Sequence, residues 1–162
     1  MGKKKGKQVS TPGVKIVSHN RKARHDFELL QKYEAGLSLL GTEIKSIRAN
    51  QVSLQQAFVS ARDGELWLLE ANIAPYTHGN VNNHEAKRPR RLLLHRREID
   101  KILEELAMKG LTCIPTKLYL KDGRAKLEIA LARGKKKTDK RQDLAKKDAK
   151  RDIQRALKES RY

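Results

Sequence analysis

The stretch LTCIPTKLYLKDGRAKLEIALA, residues 111–132, predicts a long β-hairpin and with it a mainly β fold. Asp122-Gly123 is expected at the turn, because such a pair accepts the positive φ angles of a tight hairpin connection. In the second arm, apolar side chains alternate with charged ones from Arg124 onward, which is typical of a strand with one buried face. Two antiparallel strands joined by this turn are therefore predicted.

The residues before this hairpin predict further strands. Residues 57–71 form a second hairpin around Asp63-Gly64, with Phe58, Leu66 and Leu68 as expected core side chains. Residues 25–33 alternate in the manner of a strand, and residues 36–40 either continue it with a bend or form a second short strand.

Two helices are predicted beside these strands. Gly41-Thr42 opens a short helix with Ile44 and Ile47 on its inner side, and residues 95–109 form a clearer helix that Gly110 ends. Residues 72–91 form a long polar connection of the kind that is usually retained for function. This set of elements favours an OB-like antiparallel β-barrel with two to three short flanking helices and a basic C-terminal tail.

The composition divides the 162 residues into three parts. Residues 1–13 are expected to form a flexible basic arm, and residues 14–134 the barrel. Residues 135–162 carry 12 Lys/Arg against 5 Asp/Glu, and only Ile153 and Leu157 are large on their apolar helical stripe. Since this stripe buries too little apolar surface to order the segment, we predict a tail that is largely disordered in the free protein.

The charge indicates a polyanionic partner. The net charge is +18, from 37 Lys+Arg against 19 Asp+Glu, and nucleic acid is the leading candidate because neutralised phosphates release counterions. A membrane surface is the weaker alternative, since no apolar run approaches the roughly 20 residues that cross a bilayer. The lone Cys113 and the lack of an apolar stretch after the basic N-terminus favour a cytoplasmic protein. Three segments concentrate the basic residues: 21–25, 87–97 and 133 onward.

The sequence offers no residue set for catalysis, for a metal or for a cofactor. None of the five histidines pairs with another at the spacing of three or four that suits two ligands on a helix. His78, His84 and Glu85 give only a weak alternative as a metal site. Gly134-Lys135 lacks the upstream glycine of a phosphate-binding loop. We therefore expect neither an enzyme nor a bound cofactor.

Aromatic residues are few, which disfavours a stacking platform for single-stranded RNA and favours recognition of a folded RNA by shape. Glu34 stands out as an acidic residue in basic surroundings. It is either a strand-edge carboxylate paired with a nearby Arg or Lys, or a group that contacts an RNA base or orients Arg48 toward RNA.

Several strings of this sequence resemble the SsrA-binding protein family, also called the small protein B family. The strings are NRKARH (20–25), YEAGLSLLGTEIKSIR (33–48), DGELWL (63–68), NIAPY (72–76), RPRRLLLHRREI (88–99) and ARGKKKTDKR (132–141). They occur in the family's order and cover nearly all of the chain from about residue 16.

The resemblance implies a function in translation. A family member is expected to bind the tRNA-like domain of transfer-messenger RNA (tmRNA) and to deliver it to stalled ribosomes for trans-translation. Its partners would be tmRNA and the ribosome, at the small-subunit decoding region and the mRNA channel. The tail is then expected to become helical on the ribosome, and the free protein to be a monomer.

The resemblance also implies the site residues. The RNA-binding residues would be Asn20, Lys22, Arg24, Glu34, Lys45, Arg48, Leu93, His95, Gly134, Lys135 and Lys136, the last three in a flexible loop. The ribosome-directed residues would be Asp139, Lys140, Arg141, Ile153 and Leu157. Thr138 departs from the family pattern, in which many members have an aromatic residue or His at this position. Two alternatives stay open: a generic ribosomal or RNA-chaperone protein, and a nuclease.

Overall fold

The computed structural model describes residues 12–79, 82–108 and 110–159, which form nine strands and four helices. The strands are β1 (Val14–His19), β2 (Phe27–Leu37), β3 (Val52–Ser53), β4 (Phe58–Arg62), β5 (Glu65–Leu69), β6 (Asn72–Ile73), β7 (Arg90–Leu93), β8 (Leu111–Lys121) and β9 (Arg124–Gly134). The helices are α1 (Arg21–Asp26), α2 (Gly41–Arg48), α3 (Arg96–Ala107) and α4 (Lys137–Glu159).

The predicted central hairpin is confirmed as β8 and β9. The two strands pair antiparallel from Leu111 opposite Arg133 to Lys121 opposite Arg124. Asp122 and Gly123 have φ angles of 51° and 77°, the left-handed conformation that the turn requires. Leu127, like Ile129 two residues later, is wholly buried, so the alternation in β9 points its apolar side into the core.

The strand pairings of the main sheet form a continuous ring. β9 pairs with β2 as well as with β8, and β2 continues through β7 and β5 to β4. β4 returns to β8 where Val59 lies opposite Cys113. β1 pairs with the other part of the same β8 edge, and β3 pairs with β6 in a small second sheet. The protein is therefore mainly β, as predicted.

The larger of the two apolar clusters in the described residues packs the main sheet against helices α2 and α3. Its members come from every long strand and from the inner faces of α2 and α3. They include Ala35, Ile47, Leu54, Leu66, Leu68, Leu92, Ile99, Ile102, Leu118, Leu127 and Ile129. Ile44 packs against this cluster from α2, so the predicted inner side of that helix is confirmed.

The region around residue 25 differs from the prediction. The expected strand from residue 25 begins only at Phe27, because residues 21–26 form helix α1. Asn20 starts this helix by accepting a hydrogen bond from the backbone N–H of Ala23. A helix of six residues is too short to show an apolar period, so periodicity could not predict it. Residues 36 and 37 belong to β2, which is the same strand continued.

Two other expectations are wrong. Phe58 is 41% exposed rather than in the core, because it pairs with Leu69 and so lies on the opposite face of the hairpin from Leu66 and Leu68, which are buried as predicted. The connection at residues 72–91 is more than a polar loop, since it contains β6 and the start of β7 and buries His84 and Arg90.

The two ends of the chain bear on the predicted arm and tail. Residues 1–11 of the expected arm lie outside the described residues, as do residues 160–162 of the tail. The rest of the tail forms α4, in which none of the described side chains is buried. Such a helix is compatible with disorder in the free protein, which stays a prediction. Within the described ranges, no helix is both long enough and apolar enough to cross a membrane.

Candidate nucleic-acid interface

Helix α1 carries the first predicted site residues. The Nδ2 of Asn20 donates to the carbonyl of Pro115 at 3.0 Å, while its Oδ1 caps the helix at Ala23. Asn20 is therefore buried with both ends of its amide bonded inside the protein, and it can act on RNA only by positioning α1. Lys22 and Arg24 project from this fixed helix into solvent, where they can reach phosphates.

The root of the tail is bonded to α1. Lys135 donates from its backbone N–H to Asp26 O at 2.9 Å and from Nζ to Arg24 O at 3.1 Å. Lys140 Nζ lies 3.3 Å from the Asp26 carboxylate, and a hydrogen bond from His25 is the main cause that holds the pKa of Asp26 below its usual value. The expected flexible loop at Gly134, Lys135 and Lys136 is thus a hydrogen-bonded junction, because β9 extends to Gly134 and α4 begins at Lys137.

The first turn of α4 holds the predicted ribosome-directed motif. Asp139 accepts a hydrogen bond from the backbone N–H of Lys136 at 3.2 Å, which places a carboxylate at the positive end of the helix. Arg141 is exposed, and farther along α4 Ile153 and Leu157 are 61% and 60% exposed. The structure therefore presents this apolar pair to solvent rather than to the sheet.

Glu34 lies on the outer face of β2 with two partners from β8. Its carboxylate accepts a hydrogen bond from the Tyr119 hydroxyl and lies 3.5 Å from Lys121 Nζ. The Tyr119 bond is the main cause that lowers the pKa of Glu34, so the carboxylate stays ionised. Its side chain is still 42% exposed and can accept a further bond from RNA. These partners differ from Arg48, which the sequence analysis considered.

The same outer face carries polar residues that sequence reasoning did not select. Glu128 pairs with Lys117 at 3.1 Å and with Lys32 at 3.4 Å. Lys117 also lies 5.7 Å from the centre of the Tyr119 ring. Lys117, Tyr119 and Lys121 alternate along β8, so their shared face could have been read from the period of two.

Leu93 and His95 meet Glu34 across a cavity of about 710 Å³ between β2 and the β7–α3 junction. Leu93 is 46% exposed. It packs closely against Gly36, since a Cβ added at Gly36 would lie only 3.3 Å from the Cβ of Leu93. His95 stands at the N-terminal cap of α3 with its side chain in solvent. Lys126 completes this cavity with a positive charge. The structure therefore brings three predicted RNA-binding residues together in one concave, half-apolar site.

Lys45 and Arg48 form a separate group on α2. Both side chains are exposed one turn apart, while Ile47 between them is wholly buried. Lys45 Nζ lies 5.4 Å from the centre of the Tyr76 ring, whose edge in turn packs against His78. The loop after β6 thus supports the exposed side of α2.

A buried ion cluster holds that loop in place, and the sequence analysis missed it. Glu43 accepts from Arg88 at 2.7 Å and from Arg90 at 2.8 Å, and both Glu43 and Arg90 are 0% exposed. Burial alone would raise the pKa of Glu43, but bonds from Arg88 and from the Leu40 N–H outweigh it, so that its pKa is lowered. Both arginines lie in the basic segment 87–97, in which arginine is a typical phosphate ligand. Arg90 cannot serve that purpose, because it is enclosed by protein.

These clusters of side chains define a class of protein. It is a small, strongly basic, mainly β protein with cationic side chains on α1, on α2, on β8 and around one concave site. In the ranges that the structure describes, no three His, Cys, Asp or Glu side chains form a group that could hold a metal ion. Such a surface is suited to a folded polyanion.

Comparison with known proteins gives the family. The family model described as "SmpB protein" matches residues 17–159. An SsrA-binding protein of Carboxydothermus hydrogenoformans is 53% identical over 148 residues, which cover 91% of this chain and 99% of that protein. An SsrA-binding protein of Roseiflexus sp. is 56% identical over 146 residues, which cover 90% and 92%. The chain therefore belongs to the SmpB family.

A solved structure is also similar. It is described as "tmRNA-SmpB: a journey to the center of the bacterial ribosome" and matches with a TM-score of 0.63 and 47% sequence identity. The match covers 74% of this chain and 85% of the other. The resemblance inferred from the sequence strings is thereby confirmed.

Proposed function

We propose that this protein binds the tRNA-like domain of tmRNA and delivers it to stalled ribosomes for trans-translation, which rescues the ribosome and tags the peptide. The observation that carries this function is the family match over residues 17–159, together with the similarity to SmpB in a tmRNA and ribosome structure. Its partners are tmRNA and the ribosome. We propose further that the protein acts in the cytoplasm, as a monomer when free, and by binding rather than by catalysis.

The ring of strand pairings supports an OB-like barrel as the finer description of the fold. β8 and β9 share one ladder, and β4 and β2 pair with their outer edges, so that the path through β5 and β7 closes the sheet. An OB-like barrel commonly binds nucleic acid on its outer face and through its loops. We propose that Glu34 and the outward-facing residues of β8 belong to this binding face.

The RNA-binding residues divide into three roles. Lys22, Arg24, Lys45 and Arg48 are exposed cations that hold phosphates, which fixes the orientation of the RNA. Glu34, Leu93 and His95 line the concave site, where a carboxylate and an imidazole can contact base edges. The remaining four position this surface. They are Asn20, Gly134, Lys135 and Lys136, at the two ends of α1.

The affinity for the tRNA-like domain of tmRNA is expected to fall steeply as the salt concentration rises. At physiological salt, the protein should still bind this RNA more tightly than bulk tRNA. The exposed cations imply roughly 5–8 phosphate contacts, so the logarithm of affinity should decrease linearly with the logarithm of salt with a slope of about −4 to −7. Titration across a several-fold salt range, with bulk tRNA as competitor, measures both properties. A flat salt response contradicts the phosphate contacts, whereas equal competition by bulk tRNA indicates a generic RNA-binding protein.

Glu34→Ala is expected to weaken specific RNA binding by roughly 1–3 kcal/mol, because a charged acceptor in the concave site is lost. The melting temperature should change little, since the side chain is 42% exposed. RNA-binding titrations and thermal melts of the wild type and of Glu34→Ala measure the two effects. Glu28→Ala is the matched control, because Glu28 is an exposed glutamate on the same strand. A melting temperature that drops while binding is unchanged would show that Glu34 is only structural.

A further inference from the structure

Phe58 is the aromatic member of the exposed large apolar side chains that the structure describes. It is 41% exposed, although its neighbours Ala57 and Val59 are buried at 6% and 4%. The backbone at this position is therefore fixed by the core, while the ring is directed outward. The Phe58 ring is therefore held in place and accessible to a ligand in the unbound protein.

The ring of Phe58 borders a cavity of about 460 Å³ between α1 and the β4–β8 edge. Ala23 and Ile114 are buried residues of its lining, and Phe27 packs against them as a second, half-buried ring. A cavity of this size lies in the range of small-ligand sites, which is about 300–1,000 Å³. It is distinct from the cavity that Glu34, Leu93 and His95 line.

The polar groups of the lining match a nucleotide. Gln55 and Gln56 are exposed at the rim, and each amide offers both donors and an acceptor for a base edge. Lys22 supplies a positive charge at the same rim, and Arg21 is exposed beside it. Asp26 also belongs to the lining, but its carboxylate lies 3.3 Å from Lys140 Nζ and is therefore already paired. Every nucleobase has a π face that stacks on an aromatic ring, so Phe58 suits a base of any identity.

We propose that this cavity holds one unstacked base of the bound RNA, with the base stacked on Phe58 and the adjoining phosphate on Lys22. The two glutamine amides and Lys22 favour RNA over an apolar peptide as the occupant. The base belongs to the tRNA-like domain of tmRNA, because Lys22, which is assigned to that RNA, lines the same cavity. The inference rests on the proposed function and adds a stacking contact to it.

Phe58→Ala is expected to weaken binding of the tRNA-like domain about 5- to 150-fold, which is the usual range for loss of one base–aromatic contact. Phe58→Tyr keeps the ring and should keep the affinity, whereas Phe58→Leu keeps apolar bulk and should still lose it. Leu30→Ala is the control, since Leu30 is an exposed apolar residue of β2 and is 47% exposed. Thermal melts of all four variants show whether each one is folded.

A tryptophan probe tests the contact directly. Phe58→Trp in a Trp67→Phe background should show fluorescence quenching when the tRNA-like domain is added. If the wild-type chain does not bind this RNA, the proposed function itself fails. If the wild type binds while Phe58→Ala binds equally well and the probe is not quenched, only the stacking site is wrong. A loss confined to ribosome binding also overturns the assignment to tmRNA.

Discussion

Removal of residues 137–162 is expected to abolish peptide tagging on stalled ribosomes while the affinity for tmRNA stays close to that of the full chain. The physical reason is that none of the described side chains of α4 is buried, so the sheet does not depend on this helix for its core. The truncated chain retains Lys135 and its bonds to Arg24 and Asp26. Tagging is measured in a translation system with a message that lacks a stop codon, and affinity by titration with tmRNA.

The helical state of the tail can be tested by one substitution. Ile153→Pro costs about 3 kcal/mol in a helix interior and should therefore reproduce the loss of tagging without a change in RNA affinity. Ile153→Ala is the matched control, because it removes the exposed apolar side chain but keeps the helix. If the truncated protein tags peptides at normal levels, the assignment of tmRNA binding to the β domain and of tagging to the tail is wrong.

Glu43→Ala is expected to lower the free energy of unfolding by about 3–5 kcal/mol, because it leaves a buried charge without its partner. Arg90 is wholly enclosed, and its remaining bonds go to the carbonyls of Ala71, Ala86 and Arg88, which carry no charge. Denaturation by urea, followed by the fluorescence of Trp67, measures the loss.

Two controls separate the effect of the unpaired charge from the effect of the lost side-chain volume in Glu43→Ala. Arg88→Ala should cost less than Glu43→Ala, since the Arg88 side chain is 31% exposed and Glu43 keeps Arg90. Replacing Glu43 and Arg90 together by Leu and Met should recover part of the lost stability, because no buried charge is then left unpaired. A change of less than about 1 kcal/mol in Glu43→Ala, the size of an ordinary substitution, would contradict the role of this cluster.

The same cluster predicts how stability depends on pH. The pKa of Glu43 is lowered in the folded protein from an ordinary value of 4.5. Its contribution is therefore fully present above about pH 4.5 and is lost as the pH falls through the lower folded pKa. The difference in stability between the wild type and Glu43→Ala should accordingly shrink at acid pH.

The elements predicted correctly from the sequence are those whose signals are local. The turns at Asp63-Gly64 and Asp122-Gly123 were predictable because positive φ favours these residues, and both pairs have it in the structure. Helix α3 was predictable because its apolar residues repeat along one face, and Ile99 and Ile102 are indeed buried.

The features that the sequence did not reveal depend on distant contacts. Glu43 meets Arg88 and Arg90 across 45 and 47 residues, so no local pattern distinguishes these arginines from exposed phosphate ligands. Phe58 is a different case, because the turn at Asp63-Gly64 sets it opposite Leu69 and therefore on the other face of the hairpin from Leu66 and Leu68. The concave site also depends on distant contacts, since Glu34 and His95 come together only when β2 pairs with β7.

Sequencing the RNA that co-purifies with the tagged full-length chain tests the central claim most directly. The chain is expected to enrich tmRNA far above its share of cellular RNA, and Glu34→Ala should reduce that enrichment while Glu28→Ala should not. Recovery of ribosomal and transfer RNA in proportion to their abundance, with no enrichment of tmRNA, would contradict the proposed function.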